Sequence, residues 1–228
     1  MIRTNRREVS ALAAVLLSFT SLPAQTNEQW RDSLKVLKQQ IETSAYSSDL
    51  HLRKAAVNIQ LKQWNYAIEE YNTVLSHEPG NISALFYRAY VNMQLRHYEL
   101  SYNDYTDIIR LHPNHLEARL CLSETCRRMS KKTEAIDHLN YLAEKYTDSV
   151  EVFVARAGLE REYGQLDAAL FDWDHVLELS PATPDYHLSR IEILILLNRK
   201  AEARKALRAL EALGVSRNVL RDWYRQAR

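Results

Sequence analysis

Three carboxylate pairs are the residues best suited to chemistry: Asp104 with Asp107, Asp172 with Asp174, and Glu160 with Glu162. Paired acids hydrolyse glycosides when they face each other across a cleft, one protonating the leaving group while the other attacks or activates water. Here both members of each pair fall on one helix, so a solvated charged face is the expected arrangement. His112 and His115 flank Pro113 and suggest a metal pair, yet no acidic residue or cysteine stands at ligand spacing, and no metal is expected. His77 and His112 fall at the ends of helical segments, where a cation complements the dipole and a ring nitrogen can reach last-turn carbonyls. His138 and His175 read as structural or solvated side chains. Cys121 and Cys126 are five residues apart, which on one helix separates them by about 140° around the axis. That geometry does not suit a disulfide, so both are expected to pack as small apolar residues. There is no GxSxG, no HExxH, no Walker-type glycine loop and no Rossmann fingerprint. The reading is a non-enzymatic protein without a cofactor.

The chain that must position these residues has 228 of them, with 30 Lys and Arg against 29 Asp and Glu. Such a balance argues against a nucleic-acid partner, which selects for a basic surplus. Only 4 Gly and 5 Pro are present, too few turn-formers for an all-β fold. Residues 1–24 carry Arg3, Arg6 and Arg7, then an apolar run from Ala11 to Phe19 and a small-residue stretch ending at Ala24, the pattern of a cleaved signal peptide. The apolar run is about half of what spans a bilayer, so no transmembrane segment is expected. The protein is expected to be exported, to a bacterial periplasm or outside the cell. Without residues 1–24 the chain holds 27 basic and 28 acidic side chains, and electrostatic adhesion to an anionic membrane is expected to be weak.

The remainder repeats with a period of 34 residues. Small residues recur as Ala55, Ala89, Ser123 and Ala157, and as Ala67, Ser101, Ala135, Ala169 and Ala203. Four residues after each of the second series stands a large side chain: Tyr71, Tyr105, Leu139, Trp173, Leu207. Three further on stands an aliphatic one: Val74, Ile108, Leu142, Val176, Leu210. This spacing makes one apolar helical face with a small residue where a neighbouring helix can approach closely. Each period holds two such helices, joined by tight turns at Gln63–Trp64, Arg96–His97, Ser130–Lys131, Gly164–Gln165 and Asn198–Arg199. Neither helix buries its face alone, so stacking of successive pairs must supply the core. Asn114 with Glu117 and Asp148 with Glu151 read as capping boxes, and Thr183 before Pro184 as a helix start.

With these residues in register the sequence resembles the tetratricopeptide repeat family. The matching features are the small residues at repeat positions 8 and 20, the bulky residue at 24 and the terminal proline at Pro79, Pro113 and Pro181. The resemblance implies an all-α, right-handed superhelix (an α-solenoid) of antiparallel helix pairs. Five repeats are assigned, at 48–81, 82–115, 116–149, 150–183 and 184–215. Position 11 departs from the family's Tyr at Asn58, Asn92, Cys126, Glu160 and Leu194. Ile191 replaces the small residue of the fifth repeat, where altered packing is expected. Residues 25–47 are expected to form an N-terminal capping helix with Trp30, Leu34, Leu37 and Ile41 on one face. Residues 216–228 are expected to form a C-terminal one, covering the last repeat with Val219, Leu220 and Trp223.

In this family the first helix of each pair lines a concave surface, which implies protein or peptide binding. Carried onto this chain, the inner positions give a groove of Leu52, Phe86, Tyr90, Met93, Arg127, Arg128 and Arg161, with Ala56 and Ile59 in repeat one. The residues that clamp a chaperone tail's carboxylate elsewhere in the family are replaced here by Leu52, Ala56, Glu117 and Cys121, so the resemblance does not extend to that use. The function implied is a protein-interaction scaffold, with a role in assembly of the cell envelope. The alternative is a structural subunit of an envelope complex, or an array self-associating through Leu220 and Trp223.

Overall fold

The computed structural model describes residues 26–228; the expected signal peptide lies outside the described residues. Among these the chain forms twelve helices and no strand. They are α1 (Asn27–Thr43), α2 (Ser48–Gln60), α3 (Trp64–His77), α4 (Ile82–Gln94), α5 (Tyr98–Leu111), α6 (Leu116–Arg128), α7 (Lys132–Lys145), α8 (Val150–Glu162), α9 (Leu166–Leu179), α10 (Pro184–Leu196), α11 (Lys200–Ala212) and α12 (Arg217–Gln226). Two compact units share the chain, the first ending at Ala135 and the second beginning at Ile136, within α7. None of these helices is long and apolar enough to cross a membrane.

The turns inside the helix pairs are built from main chain alone. Lys62, Arg96, Ser130, Gly164 and Asn198, spaced by 34, all have positive φ, between 56° and 78°. The next N–H reaches back to close the helix end, as Gln63 N does to Asn58 O at 2.8 Å and Gln165 N to Glu160 O at 2.8 Å. This is the Schellman closure, in which a left-handed residue lets two amides satisfy the last free carbonyls. In the first pair the turn therefore falls at Lys62–Gln63, one residue before the expected site. Only one of the five residues is glycine.

Connections between pairs set the helix starts. A turn bond, Asn81 N to Glu78 O at 3.0 Å, His115 N to His112 O at 3.0 Å and Ser149 N to Tyr146 O at 3.1 Å, fixes the N-cap three residues past each C-cap. The caps are accordingly His115 and Ser149, not Asn114 and Asp148: the turn's length decides the position over the better capping side chain. Asn81 accepts from Ala84 N at 3.0 Å and His115 from Ala118 N at 3.3 Å, whereas Ser149 turns its hydroxyl to Glu151. Thr183 precedes Pro184 as expected but accepts no helix N–H. At α1, Thr26 and Gln29 form a reciprocal capping box.

The small-residue series are buried between the helices. Ala55, Ala67, Ala89, Ala135, Ala157, Ala169 and Ala203 are all fully buried, as are Tyr105, Ile108, Leu142, Val176, Leu207 and Leu210 beside them. In the first unit Ala55, Ala67, Tyr71, Val74, Ala84 and Val91 make one cluster, with Tyr71 stacked on Tyr87 at 6.4 Å. Each such large side chain contributes about 1.5–3 kcal/mol by leaving water. Ser123 keeps the register by donating its hydroxyl to Ala135 O at 2.7 Å, across the α6–α7 pair. Ile191 is itself fully buried and the fifth pair forms a regular α10 and α11.

At the first end, Leu37 is buried and Trp30, Leu34 and Ile41 are half-buried against their surroundings. At the last, Leu220 and Ala227 are fully buried, Trp223 and Tyr224 half-buried, and Val219 is 65% exposed. Val219 thus does not help cover the fifth repeat, and Leu220, with no exposed surface, is not a self-association contact. Cys121 and Cys126 are free and buried, and burial pushes both thiols up to about 12.

Candidate interaction surface

In the first unit the inner positions lie on α2, α4 and α6. Leu52 and Tyr90 are half-buried and packed against the core cluster, and burial raises the Tyr90 hydroxyl above its usual range. Phe86 is half-buried with its ring enclosed by others: edge-on to Tyr87 at 5.5 Å and Tyr105 at 5.6 Å, and stacked on the His115 cap at 5.9 Å. Packing takes most of its surface. Met93 is half-buried. An open cleft of about 610 Å³ lies between α1 and α2, lined by Trp30, Val36, Leu37, Ala56 and Val57 together with Asp32, Gln40 and Arg53. Val36 is 55% exposed within it.

The two arginines of α6 share one carboxylate. Arg127 Nε reaches Glu124 Oε2 at 2.6 Å and Arg128 Nε reaches Glu124 Oε1 at 2.7 Å. Burial works against the Glu124 charge, but the hydrogen bonds and charges of both arginines hold it below the usual carboxylate range. In the second unit Arg161 pairs with Glu192 at 2.7 Å.

The acidic pairs are not solvated faces. Asp104, Asp172 and Glu160 are buried, while Asp174 and Glu162 are exposed and Asp107 half-buried. Each buried aspartate is gripped by an arginine sixteen residues earlier, on the first helix of its own pair. Arg88 reaches Asp104 with Nε at 2.9 Å and Nη2 at 2.6 Å, and Asn72 with Nη1 at 2.7 Å. Arg156 reaches Asp172 through Nε and Nη2 at 2.7 Å and Asn140 through Nη1 at 3.2 Å. Arg190, facing Ala206 at the corresponding site, turns to Asp174 of the preceding pair. Lys54 does the same work for Glu70 at 2.6 Å, shared with His51 at 2.7 Å. At repeat position 7, where the tetratricopeptide motif has Leu, Arg88 and Arg156 therefore each tie the second helix of their own pair to that of the preceding pair, while Lys54 binds its own second helix and Arg190 the preceding one. In the third repeat this position is Leu122, buried, and no such cation is present.

Glu160 adds a second acid to the Arg156–Asp172 pair, where Asn58 and Asn92 stand in the first two repeats. Its carboxyl is pushed up to about 7, by burial first and the Asp172 charge second, with Arg156 3.9 Å away opposing. Its Oε2 is buried without a hydrogen-bond partner. The Arg156–Asp172–Glu160 cluster joins two helices from within, an arrangement that suits their registration.

No protein-family model matches the chain, and no curated protein matches it. Solved structures do. A tetratricopeptide repeat protein from Parabacteroides merdae ATCC 43184 is similar at 20% identity, with a TM-score of 0.61 over 88% of this chain and 78% of that one. MamA from Desulfovibrio magneticus RS-1 is similar at 13% identity, with a TM-score of 0.65 over 73% of this chain and 94% of that one. YrrB, described as a TPR protein with an unusual peptide-binding site, is similar at 14% identity, with a TM-score of 0.62 over 79% of this chain and 93% of that one. With helix pairs in a 34-residue register, buried small residues at fixed places in it and these likenesses, the chain has the tetratricopeptide-repeat fold.

Proposed function

We propose that this protein is a non-enzymatic scaffold that holds a peptide segment or partner protein against the first helices of its first unit. The observation that carries this reading is the cleft beside α2, lined by apolar Trp30, Val36, Leu37, Ala56 and Val57, of which Val36 and Ala56 are exposed to solvent. A cleft of that size takes one or two apolar side chains of an extended segment. Leu52, Tyr90 and Met93 extend the apolar surface, Phe86 buttresses α4 from within, and the guanidiniums of Arg127 and Arg128 suit an acidic residue of the partner. Arg161 would serve a partner of the second unit. The description of YrrB as a peptide-binding relative in fold agrees with this reading. Export to the periplasm or outside the cell, and a role in envelope assembly, follow from the signal-peptide pattern of residues 1–24.

A photo-crosslinking residue placed at Ala56 is expected to capture one discrete partner in the producing cell, and the same residue at exposed Glu69 none. The paired change Tyr90→Ser, Met93→Ser is expected to weaken that capture with helicity unchanged. Equal capture from both positions would remove the assignment.

A further inference from the structure

Overall neutrality conceals a separation of charge. Residues 199–228 hold nine Lys or Arg and three Asp or Glu, whereas residues 25–198 hold 18 and 25. Interactions between exposed charges fade over about 8 Å at physiological salt, so an approaching surface responds to the local surplus and not to the total. The weak membrane adhesion expected from the total charge therefore does not apply to this end.

The surplus is organised. Arg217, Arg221 and Arg225 are exposed and recur once per turn on one flank of α12, while Leu220 and Ala227 bury the other side. Arg204 donates to Ala227 O at 2.6 Å and fastens α12 to α11. The Arg217 guanidinium lies 5.2 Å from the centre of the Tyr224 ring, whose hydroxyl also senses Arg208. The carboxylates that face these groups are Glu211, 3.7 Å from Arg217, and Asp222, paired with Arg225. Two acids are thus set against five arginines.

This flank is a ridge of guanidiniums and not a groove, so it offers no channel to enclose a peptide. The same end exposes Leu213 at 60%, in the turn before α12, and leaves Trp223 and Tyr224 half-buried, whereas Val219 lies about 160° around the helix from Arg217 and Arg221 and stands apart from them. An aliphatic tip adds nothing to the capture of a carboxylate-rich segment. Beside cations and interfacial aromatics, it enters a layer of lipid headgroups. We propose that the α11–α12 end is a docking surface for an anionic phospholipid bilayer.

Co-sedimentation of the protein with vesicles tests this. Vesicles of phosphatidylcholine alone are compared with vesicles containing about a third phosphatidylglycerol, at low and high salt. Binding is expected to the anionic vesicles only and to be lost at high salt. Each arginine near the surface is worth about fivefold in partitioning, so Arg221→Ser with Arg225→Ser is expected to lower it about 25-fold, while Arg221→Lys with Arg225→Lys retains most of it. Both side chains are exposed, and an unchanged melting profile verifies the fold. Absence of binding to the anionic vesicles overturns the proposal, as does binding that the double serine variant leaves intact. Capture by polyglutamate without capture by vesicles also overturns it, in favour of an acidic protein partner.

Discussion

Replacing Glu160 with Gln should stabilise the protein at alkaline pH and leave it nearly unchanged in acid. The carboxyl ionises near 7 in the folded chain, against an ordinary value of 4.5. Its folded-state value is raised, so between those two limits the folded protein holds a proton that the unfolded chain has released. Stability then falls as pH rises through this window, and the loss is complete above about pH 7. The full separation corresponds to about 3 kcal/mol at 1.36 kcal/mol per decade. The value of about 7 already includes the opposing Arg156 charge, and screening by residual solvent contact reduces the working figure to about 1–3 kcal/mol. Glutamine has the shape of the protonated acid and cannot ionise, so Glu160→Gln should recover that amount at about pH 8 and close to none at about pH 4. Thermal melts of both proteins at the two pH values give the double difference, in which every other titrating group cancels. About 2–4 °C accompanies each kcal/mol for a chain of this size. An equal gain at both pH values, or no gain in alkali, would refute the reasoning, since neither follows from a proton held by burial beside Asp172.

Arg88→Met should cost about 2–4 kcal/mol by leaving Asp104 buried without its partner, and adding Asp104→Leu should restore most of the loss; chemical denaturation of the single and double variants measures both. Ser101 is fully buried with an unpartnered hydroxyl, so Ser101→Ala should stabilise by about 1 kcal/mol, whereas Ser123→Ala, which removes the bond to Ala135 O, should cost about 1 kcal/mol. Lys62→Gly and Arg96→Gly should each raise stability by about 1 kcal/mol by relieving a left-handed conformation, and Gly164→Ala should lower it by a similar amount although nothing lies within 4 Å of the added Cβ; melting temperatures decide all three.

The repeat was legible in the sequence because packing imposes one geometry at fixed spacing. Alanine recurs wherever two helices touch, and Tyr71 or Val74 recurs wherever space beside that contact must be filled. The buried locks were not legible from neighbouring residues. Asp104 and Asp107 look like a local pair, yet the partner that decides Asp104 is Arg88, one helix away. The available signal was an Arg sixteen residues before an Asp, repeated 68 residues later as Arg156 and Asp172. Caps were misplaced by one residue at Asn114 and Asp148 because residue type favours those positions while the turn bond selects the next one. At the candidate surface, the family resemblance put Phe86 on the inner side of α4. It carried no word of Tyr105 and His115, which take up its ring.

The positive-φ turns bear on how far such a chain can drift. Each helix pair is closed by amides and carbonyls, which every residue except proline supplies, and the side chains of Lys62, Arg96, Ser130 and Asn198 project into solvent. Mutation can therefore change these hinge residues without altering the path of the chain, at a cost of about 1 kcal/mol where a side chain replaces glycine in the left-handed conformation. Such tolerance accords with proteins of 13–20% identity sharing this fold.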